Sequence, residues 1–244
     1  MPKPVELAPV LVLGGTGEGR ELAILLAAHP RLVPLSSIAG VTKRPELPPG
    51  EVRIGGFGGI DGLVAWLDAN PVLALVDATH PFAITMRRHA LTAARERSVP
   101  LLRLKRPSWQ AEPGDHWHEV ADLESALALI PTLGRRVLVA LGRSPVEQLP
   151  EIAGVDWLIR SIERPSRLPA GAIWLEARPP FRIEEELQLF QDLDIDVVLS
   201  KDSGGTGAAA KLVAARTLGL SVVLLRRPHP PVGVSVVELS LIHI

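Results

Sequence analysis

The sequence lacks two residue types that many enzymes use for chemistry, cysteine and tyrosine. Without cysteine the chain cannot form a disulfide, a thiolate zinc site or an iron–sulfur cluster, and it has no thiol nucleophile. Without tyrosine, the dehydrogenases that use a tyrosine–lysine pair as their acid are excluded. The two absences therefore remove whole classes of metal, redox and covalent chemistry, and we predict no metal site.

The chain also lacks an excess of charge of either sign. Its 244 residues carry 26 Lys and Arg against 27 Asp and Glu, so nucleic acid is not an expected partner. No apolar run reaches the length of about 18 residues that a membrane span needs. The first residues have no apolar stretch typical of a signal peptide. We therefore expect a cytoplasmic protein without a membrane partner, with enough apolar residues to form a sizeable core.

Short apolar runs alternate with helical patterns along most of the chain, which is typical of βαβ units and a parallel sheet. In the first half we predict strands at residues 10–13, 32–36, 52–54, 72–76 and 99–104. In the second half we predict strands at residues 137–141, 157–162, 173–176, 197–200 and 222–225. Prolines and tryptophans near 106–118 interrupt the alternation.

This pattern predicts an α/β protein made of two Rossmann-like, doubly wound parallel-sheet domains, with the active-site cleft between them. We predict an N-terminal domain at residues 1–108, a linker at 109–134 and a C-terminal domain at 135–244. The two halves show no obvious sequence repeat. Trp109 and Trp117 are expected to pack at the domain junction.

A glycine-rich turn, GGTGEGR at residues 14–20, follows the first predicted strand and opens a helix. Closely spaced glycines let the backbone approach a pyrophosphate, and the helix N-terminus supplies free N–H groups. The spacing is not the usual G-x-G-x-x-G, so a tight turn without ligand is the alternative. The residues that we expect to contact a dinucleotide are Gly14, Gly15, Thr16, Gly17 and Glu18.

The end of the second predicted strand indicates which dinucleotide the first domain binds. A site for NAD usually has an acidic residue here, which binds the ribose hydroxyls. This chain has Ser36 and Ser37 instead, followed by Lys43 and Arg44. Hydroxyls and cations suit the 2′-phosphate of NADP(H), which a carboxylate would repel. A solvated charge pair is the alternative for Lys43 and Arg44.

The segment DATHPFA, residues 77–83, follows the buried strand predicted at 72–76. Ligands of open α/β sheets bind at this carboxyl edge. We therefore consider Asp77, Thr79 and His80 as catalytic candidates, since imidazole is a group that can donate a proton near neutral pH. A structural role is equally favoured, because Thr79 or His80 could cap the following helix.

A second glycine-rich turn, KDSGGTGAAAK at residues 201–211, again joins a strand to a helix. No Gly-Lys-Ser/Thr triplet closes it, so ATP chemistry is disfavoured. Two of the five lysines flank the turn, and lysines beside backbone N–H groups can bind carboxylates or phosphates. A ligand-free turn with Lys211 on the helix surface is the alternative. The predicted substrate-binding residues are Lys201, Asp202, Ser203, Gly204, Gly205 and Lys211.

Two other charged groups are expected to face solvent. Arg87 and Arg88 follow the His80 turn and could face the cleft, but a solvated helix face is favoured. The acidic run Glu184, Glu185 and Glu186 is also expected to be solvent-facing.

Taken in order, these motifs resemble the precorrin-6A reductase family. The resemblance is carried by residues 14–20, 77–83 and 201–205 with Lys211, and by VPLLRLKRPSW at 99–109. It implies an enzyme that uses NADPH to reduce a double bond of precorrin-6A, a tetrapyrrole-derived substrate, to give precorrin-6B in the corrin pathway. NADPH would bind the first glycine turn and the carboxylated substrate the second. The resemblance also implies that a strand can be exchanged between the domains.

Three alternatives remain at this stage. The substrate could be the cobalt-containing form of the same macrocycle. The protein could be a sensor that binds NADP(H) without turnover, although a sensor does not need the second anion-binding turn. A nucleotide-sugar epimerase is disfavoured by the missing tyrosine. The oligomeric state and the presence of a general acid stay open.

Overall fold

The computed structural model describes residues 7–40, 47–229 and 235–238, and the chain divides into two compact units. The first unit contains the described residues up to Pro107 together with those from Pro228 onward, and the second unit is Ser108–Arg227. Each unit is built on one six-stranded parallel sheet. Within the described ranges, no helix is long and apolar enough to cross a membrane.

The strands and helices alternate along the chain. The strands are β1 Ala8–Leu13, β2 Leu32–Ile38, β3 Glu51–Ile54, β4 Ala74–Asp77, β5 Leu101–Lys105, β6 His116–Val120, β7 Arg136–Ala140, β8 Asp156–Ser161, β9 Ile173–Glu176, β10 Val197–Lys201, β11 Ser221–Leu225 and β12 Ser235–Glu238. The helices are α1 Gly17–Ala28, α2 Ile60–Ala69, α3 Ile84–Glu96, α4 Leu123–Leu133, α5 Arg143–Val146, α6 Ile183–Asp192 and α7 Ala210–Thr217.

The first sheet has the strand order β12-β5-β4-β1-β2-β3. Its central strands are apolar on both faces, as expected for a parallel sheet covered by helices on each side. Leu11 and Leu75 pack with residues of α2 and α3, whereas Val12 and Val76 pack with Leu22 of α1 on the opposite face.

The second sheet has the order β6-β11-β10-β7-β8-β9. Leu138, Leu158 and Val198 form its core together with Phe190 of α6 and Leu212 of α7. The two sheets therefore share one topology, because β7 to β11 repeat the order of β1 to β5. In each sheet the edge next to the last of these five strands is completed by a sixth strand: β12 pairs with β5 in the first sheet, and β6 pairs with β11 in the second.

This shared topology gives each unit a switch point, which is the place between two neighbouring strands whose following connections run toward opposite edges of the sheet. It lies between β1 and β4 in the first sheet and between β7 and β10 in the second. Ligands of open α/β sheets bind outside the carboxyl ends of the strands at such points. The glycine turns and the His80 turn all follow strands that border a switch point.

The structure confirms the fold class but divides the chain differently from the prediction. Residues 109–134, predicted as a linker, contain β6 and α4, and both belong to the second unit. Residues 235–238, predicted in the C-terminal domain, form β12 and pair with β5 in the first sheet. The reason is that each sheet is completed by a strand that is distant in sequence, as the family resemblance implied for strand exchange.

Candidate active site

The first glycine turn connects β1 to α1 and is hydrogen-bonded to the segment that follows β4. Thr16 is the N-cap of α1, where its hydroxyl oxygen accepts a hydrogen bond from the Gly19 N–H at 3.1 Å. The same hydroxyl donates to the Ala78 carbonyl at 2.8 Å, and the Ala78 N–H donates to the Leu13 carbonyl at 2.9 Å. Thr16 therefore holds the turn against the segment that carries Thr79 and His80.

The turn is open on its outer side. Gly15 has a φ of +101°, a conformation that side chains rarely adopt. A Cβ atom placed on Gly15 or Gly17 would have no heavy atom within 4 Å. The carboxylate of Glu18 forms an ion pair with Arg106, so its charge is compensated within the first unit. Space and backbone donors are thus available for an anion.

Ser36 and Ser37 lie at the end of β2, in register with Val12 and Leu13 of β1. The Ser37 carbonyl accepts a hydrogen bond from the Gly14 N–H at 2.8 Å. Both serines are buried, and the Ser36 hydroxyl has no hydrogen-bond partner within the described part of the chain. Lys43 and Arg44, the predicted 2′-phosphate ligands, lie outside the described residues.

The His80 turn is organised by Asp77, the last residue of β4. The Asp77 carboxylate accepts from the Thr79 hydroxyl at 2.6 Å and from the Thr79 N–H at 3.1 Å. Its other oxygen accepts from the Arg87 Nε at 3.2 Å, and both side chains of this ion pair are less than 5% exposed. Asp77 therefore fixes the turn while its own carboxylate is fully engaged.

Arg87 was predicted on a solvated helix face, and this prediction is wrong. The guanidinium also donates to the carbonyls of Pro81 at 3.1 Å and His80 at 3.4 Å, so it links the backbone of the turn to α3. The neighbouring Arg88 is exposed, as expected. Asp77 and Arg87 lie ten residues apart in sequence, and no local sequence pattern at this spacing predicts that they form an ion pair.

His80 is half-buried, with its ring 5.9 Å from the ring of Phe82. Its Nδ1 accepts a hydrogen bond from the Phe82 N–H at 3.2 Å, so the neutral ring carries its proton on Nε2. Helix α3 begins after Ala83 without a side-chain cap. The capping role considered for Thr79 and His80 is therefore not found.

The second glycine turn is held by residues from both ends of the second unit. The Asp202 carboxylate accepts from the Trp109 N–H at 3.3 Å and pairs with the Arg227 guanidinium at 3.1 Å. The indole N–H of Trp109 donates to the Gly205 carbonyl at 2.8 Å. Ser203 donates from its N–H to the Lys201 carbonyl at 2.7 Å. Asp202 thus anchors the turn, and its negative charge is compensated.

Lys211 is buried, which excludes the surface position considered for it. Its ammonium donates to the Ala208 carbonyl at 2.6 Å and lies 4.6 Å from the ring centroid of Trp109. Burial lowers the pKa of Lys211 to about 7, and the nearby charge of Arg160 acts in the same direction. Burial also lowers the pKa of Lys201. The second turn is therefore flanked by two lysine side chains, Lys201 and Lys211, whose charged forms are poorly solvated.

Beside Lys211, the side chains of Arg160 and Glu186 form a buried ion pair. Glu186 was predicted to face solvent, which is wrong, whereas Glu184 and Glu185 are exposed as expected. Its Oε2 has no partner within the described part of the chain. The available signal was the spacing in α6, since Glu186 lies one turn before the buried Phe190 and shares its face.

The sequence of this chain is similar to those of known reductases. A family model described as precorrin-6x reductase CbiJ/CobK matches residues 9–242. A precorrin-6A reductase from Rhodococcus erythropolis is 46% identical over 230 residues, which cover 94% of this chain and 93% of the relative. One from Mycobacterium tuberculosis is 42% identical over 231 residues, with the same coverage. A cobalt-precorrin-6A reductase from Priestia megaterium is less similar, at 28% over 241 residues covering 92% of both chains.

A solved structure described as CobK precorrin-6A reductase matches the fold with a TM-score of 0.87. It is 38% identical, and the match covers 94% of this chain and 92% of that chain. The likeness therefore includes both parallel sheets. From the family model and these relatives, we conclude that the chain belongs to the precorrin-6x reductase family, a family of reductases in cobalamin biosynthesis.

Proposed function

We propose that this protein uses NADPH to reduce a double bond of the precorrin-6A macrocycle, giving precorrin-6B. The observation that carries the proposal is the β1–β4 switch point, where an open glycine turn is bonded through Thr16 to the segment bearing His80. Family membership supplies the reaction class. The position of the turn beside β2 supplies the reason for choosing a dinucleotide cofactor.

The residues present fit NADPH. The turn is free of side chains at Gly15 and Gly17, so the backbone is accessible to a pyrophosphate. At the neighbouring end of β2 the Ser36 hydroxyl is buried without a partner, and β2 there carries no carboxylate that would repel a 2′-phosphate. When bound, NADPH supplies the hydride, and solvent can supply the proton that completes the reduction.

The chain's own residues orient the reactants. Gly15, Thr16 and Gly17 hold the cofactor phosphates through backbone N–H groups. Asp77 and Arg87 keep the following turn rigid, because their buried ion pair binds Thr79 and two turn carbonyls. His80 lies on this turn, and we assign its side chain the role of steering the substrate. Rigid placement of two reactants is itself a large source of rate enhancement.

The second glycine turn is proposed to bind the acetate and propionate groups of the macrocycle. The residues that we assign to this role are Lys201, Ser203, Gly204 and Gly205, because a lysine beside a glycine turn is a suitable partner for carboxylates. Lys211 supports this turn from the buried side through the Ala208 carbonyl. The metal-free substrate is favoured over the cobalt form, because relatives named for the metal-free reaction are more similar to this chain.

The proposal is tested by anaerobic incubation with enzymatically prepared precorrin-6A and NADPH. We expect loss of NADPH absorbance and a product heavier by two hydrogens in mass spectrometry. NADPH deuterated at the transferred position should deliver a single deuterium to the product. A parallel reaction with NADH should be much slower. NADPH binding without reduction of either the metal-free or the cobalt substrate would contradict the proposal.

The role of His80 is tested by His80→Ala with His89→Ala as the matched control. His89 lies on α3, and we assign it no contact with the reactants. We expect kcat to fall in His80→Ala and to stay unchanged in the control. An unchanged kcat in both variants would remove His80 from the mechanism and leave the reductase assignment intact.

A further inference from the structure

The chain runs between the two units twice, and the proposed function uses neither connection. It leaves the first unit after Pro107 and re-enters it at Pro228. In both places the proline follows an arginine, Arg106 or Arg227, and the first connection lies in the sequence motif at residues 99–109. Because proline fixes its own φ and restricts the residue before it, both connections are limited in conformation at this point.

Each of these two arginines pairs with an acid of a glycine turn. Arg106 forms an ion pair with Glu18 of the first glycine turn. The guanidinium of Arg227 pairs with the Asp202 carboxylate of the second glycine turn at 3.1 Å, and it also donates to the Asp202 carbonyl at 3.0 Å. In each unit, the residue that leads into a connection is therefore fixed to a turn that we assign to a ligand.

Trp109 fixes the other end of the first connection. Its N–H donates to the Asp202 carboxylate at 3.3 Å, and its indole N–H donates to the Gly205 carbonyl at 2.8 Å. The ammonium group of Lys211 lies 4.6 Å from its ring centroid. Arg106 and Trp109 are separated by only two residues, one of them a proline, so a displacement of one residue displaces the other.

A phosphate bound at the first glycine turn would change the electrostatic surroundings of Arg106. The side chains of Arg106 and Glu18 are 17% and 25% exposed, so solvent screens their interaction only in part. A phosphate beside Glu18 would add to the negative potential at the guanidinium and hold Arg106 more firmly. Ordering of the connection by the first ligand then lowers the ordering cost of binding a second ligand.

We propose that Arg106 and Trp109 are positioning residues that couple the two glycine turns, so that cofactor bound at the first turn increases the affinity for the macrocycle. The identity of both ligands rests on the proposed function. Arg106 acts through Glu18, and Trp109 acts through Asp202 and Gly205. Coupling of two binding equilibria is reciprocal, so the macrocycle should strengthen cofactor binding by the same factor.

The test measures the Kd of precorrin-6A with and without saturating NADP⁺, which has the phosphates of NADPH but no hydride to transfer. We expect the wild type to bind precorrin-6A about fivefold or more tightly when NADP⁺ is present. This coupling factor should fall toward one in Arg106→Gln and in Trp109→Phe, and Arg106→Lys should retain part of it. Lys105→Ala removes an exposed neighbouring cation and, as the control, should behave like the wild type.

The coupling factor is a readout that a merely structural role would not move. A local defect at Arg106 would weaken NADP⁺ binding alone, and a local defect at Trp109 would weaken binding of the macrocycle alone, because the two residues belong to different units. An unchanged coupling factor in Arg106→Gln and Trp109→Phe would overturn the proposal. So would a coupling factor of one in the wild type.

Hydrogen exchange separates failure of the coupling from failure of the proposed function, because it needs no macrocycle. NADPH alone should slow the exchange of backbone amides at residues 203–209 in the wild type but not in Arg106→Gln. Equal slowing in both proteins would overturn the coupling. The expected difference, in a protein that does not reduce precorrin-6A, would support the coupling and reject the reaction. Normal reduction without any change in exchange would reject the coupling and keep the reaction.

Discussion

The two units place an aspartate and an arginine at the same point of the same topology, but they recruit the arginine differently. Asp77 ends β4 and pairs with Arg87, ten residues later on the next helix. Asp202 follows β10 and pairs with Arg227, 25 residues later, and it also accepts from Trp109, 93 residues earlier. The first turn is therefore closed by its own supersecondary unit, whereas the second depends on residues at both ends of its unit.

The two pairs also differ in their access to water. The side chains of Asp77 and Arg87 are 3% and 4% exposed, compared with 11% and 16% for Asp202 and Arg227. Removing one partner of a buried pair leaves an uncompensated charge, and the penalty falls as water gains access. The comparison teaches that local closure accompanies deep burial here, while long-range closure leaves the anchor partly hydrated.

The largest expected effect is that of Arg87→Ala. Asp77 would remain buried without its cation, so the free energy of unfolding should fall by about 3–5 kcal/mol. Urea denaturation followed by circular dichroism measures the loss. Arg88→Ala, at the exposed neighbouring position, is the control and should change stability by less than about 0.5 kcal/mol. Equal effects of the two substitutions would contradict the assigned role of the pair.

Arg227→Ala should have a smaller effect on stability. Its pair with Asp202 is partly hydrated, so we expect a loss of about 2 kcal/mol, between the values for surface and buried pairs. The same urea titration applies, with the exposed Arg226→Ala as control. A loss as large as that of Arg87→Ala would remove the distinction drawn between the two anchors.

Lys211 adds a pH-dependent difference between the units. Its pKa falls from an ordinary value of 10.5 to about 7 in the folded protein, so between these values the unfolded chain binds more protons. Stability should therefore rise with pH in this window, by at most about 1.4 kcal/mol per pH unit. In Lys211→Met this contribution is absent. Parallel curves of stability against pH for the two proteins would refute the shift.

The smallest expected effect on stability is a difference between substitutions of two tryptophans of the second unit. Trp109→Phe removes the hydrogen bond to the Gly205 carbonyl and should cost about 1 kcal/mol. The indole N–H of Trp117 is buried without a partner within the described residues, so Trp117→Phe loses no hydrogen bond. Thermal unfolding of both variants measures the difference. Equal losses would show that the Trp109 bond contributes nothing to the anchor.

The strands were predictable because each carries an apolar run. All ten predicted strands coincide with observed ones to within two residues at either end. Strands β6 and β12 were missed: β6 lies within the stretch interpreted as a linker, and β12 follows the last predicted strand. Strand β6, with the sequence HWHEV, is mostly polar. Helix α4 was missed as well, because its sequence falls within the stretch interpreted as a linker and contains Pro131.

The candidate site was predictable only where chemistry is local. Glycine-rich segments indicate tight turns regardless of their tertiary surroundings, so both glycine-rich turns were predicted. The burial of Arg87 and of Lys211 depends on partners brought together by the fold, and neither side chain differs in sequence from a surface cation. Glu186 could have been found, since it shares a helix face with Phe190. Long-range electrostatics was thus the part that the residue pattern did not reveal.

The position of β12 has a consequence for synthesis on the ribosome. The first unit contributes most of its residues before Pro107, yet the strand that covers the edge of β5 emerges only after the whole second unit. Until then the edge of β5 is available to other chains, and uncovered edges promote aggregation. Residues 1–107 therefore contain the cofactor turn and the His80 turn but not a closed sheet, so a fragment ending there keeps those motifs with an unprotected edge.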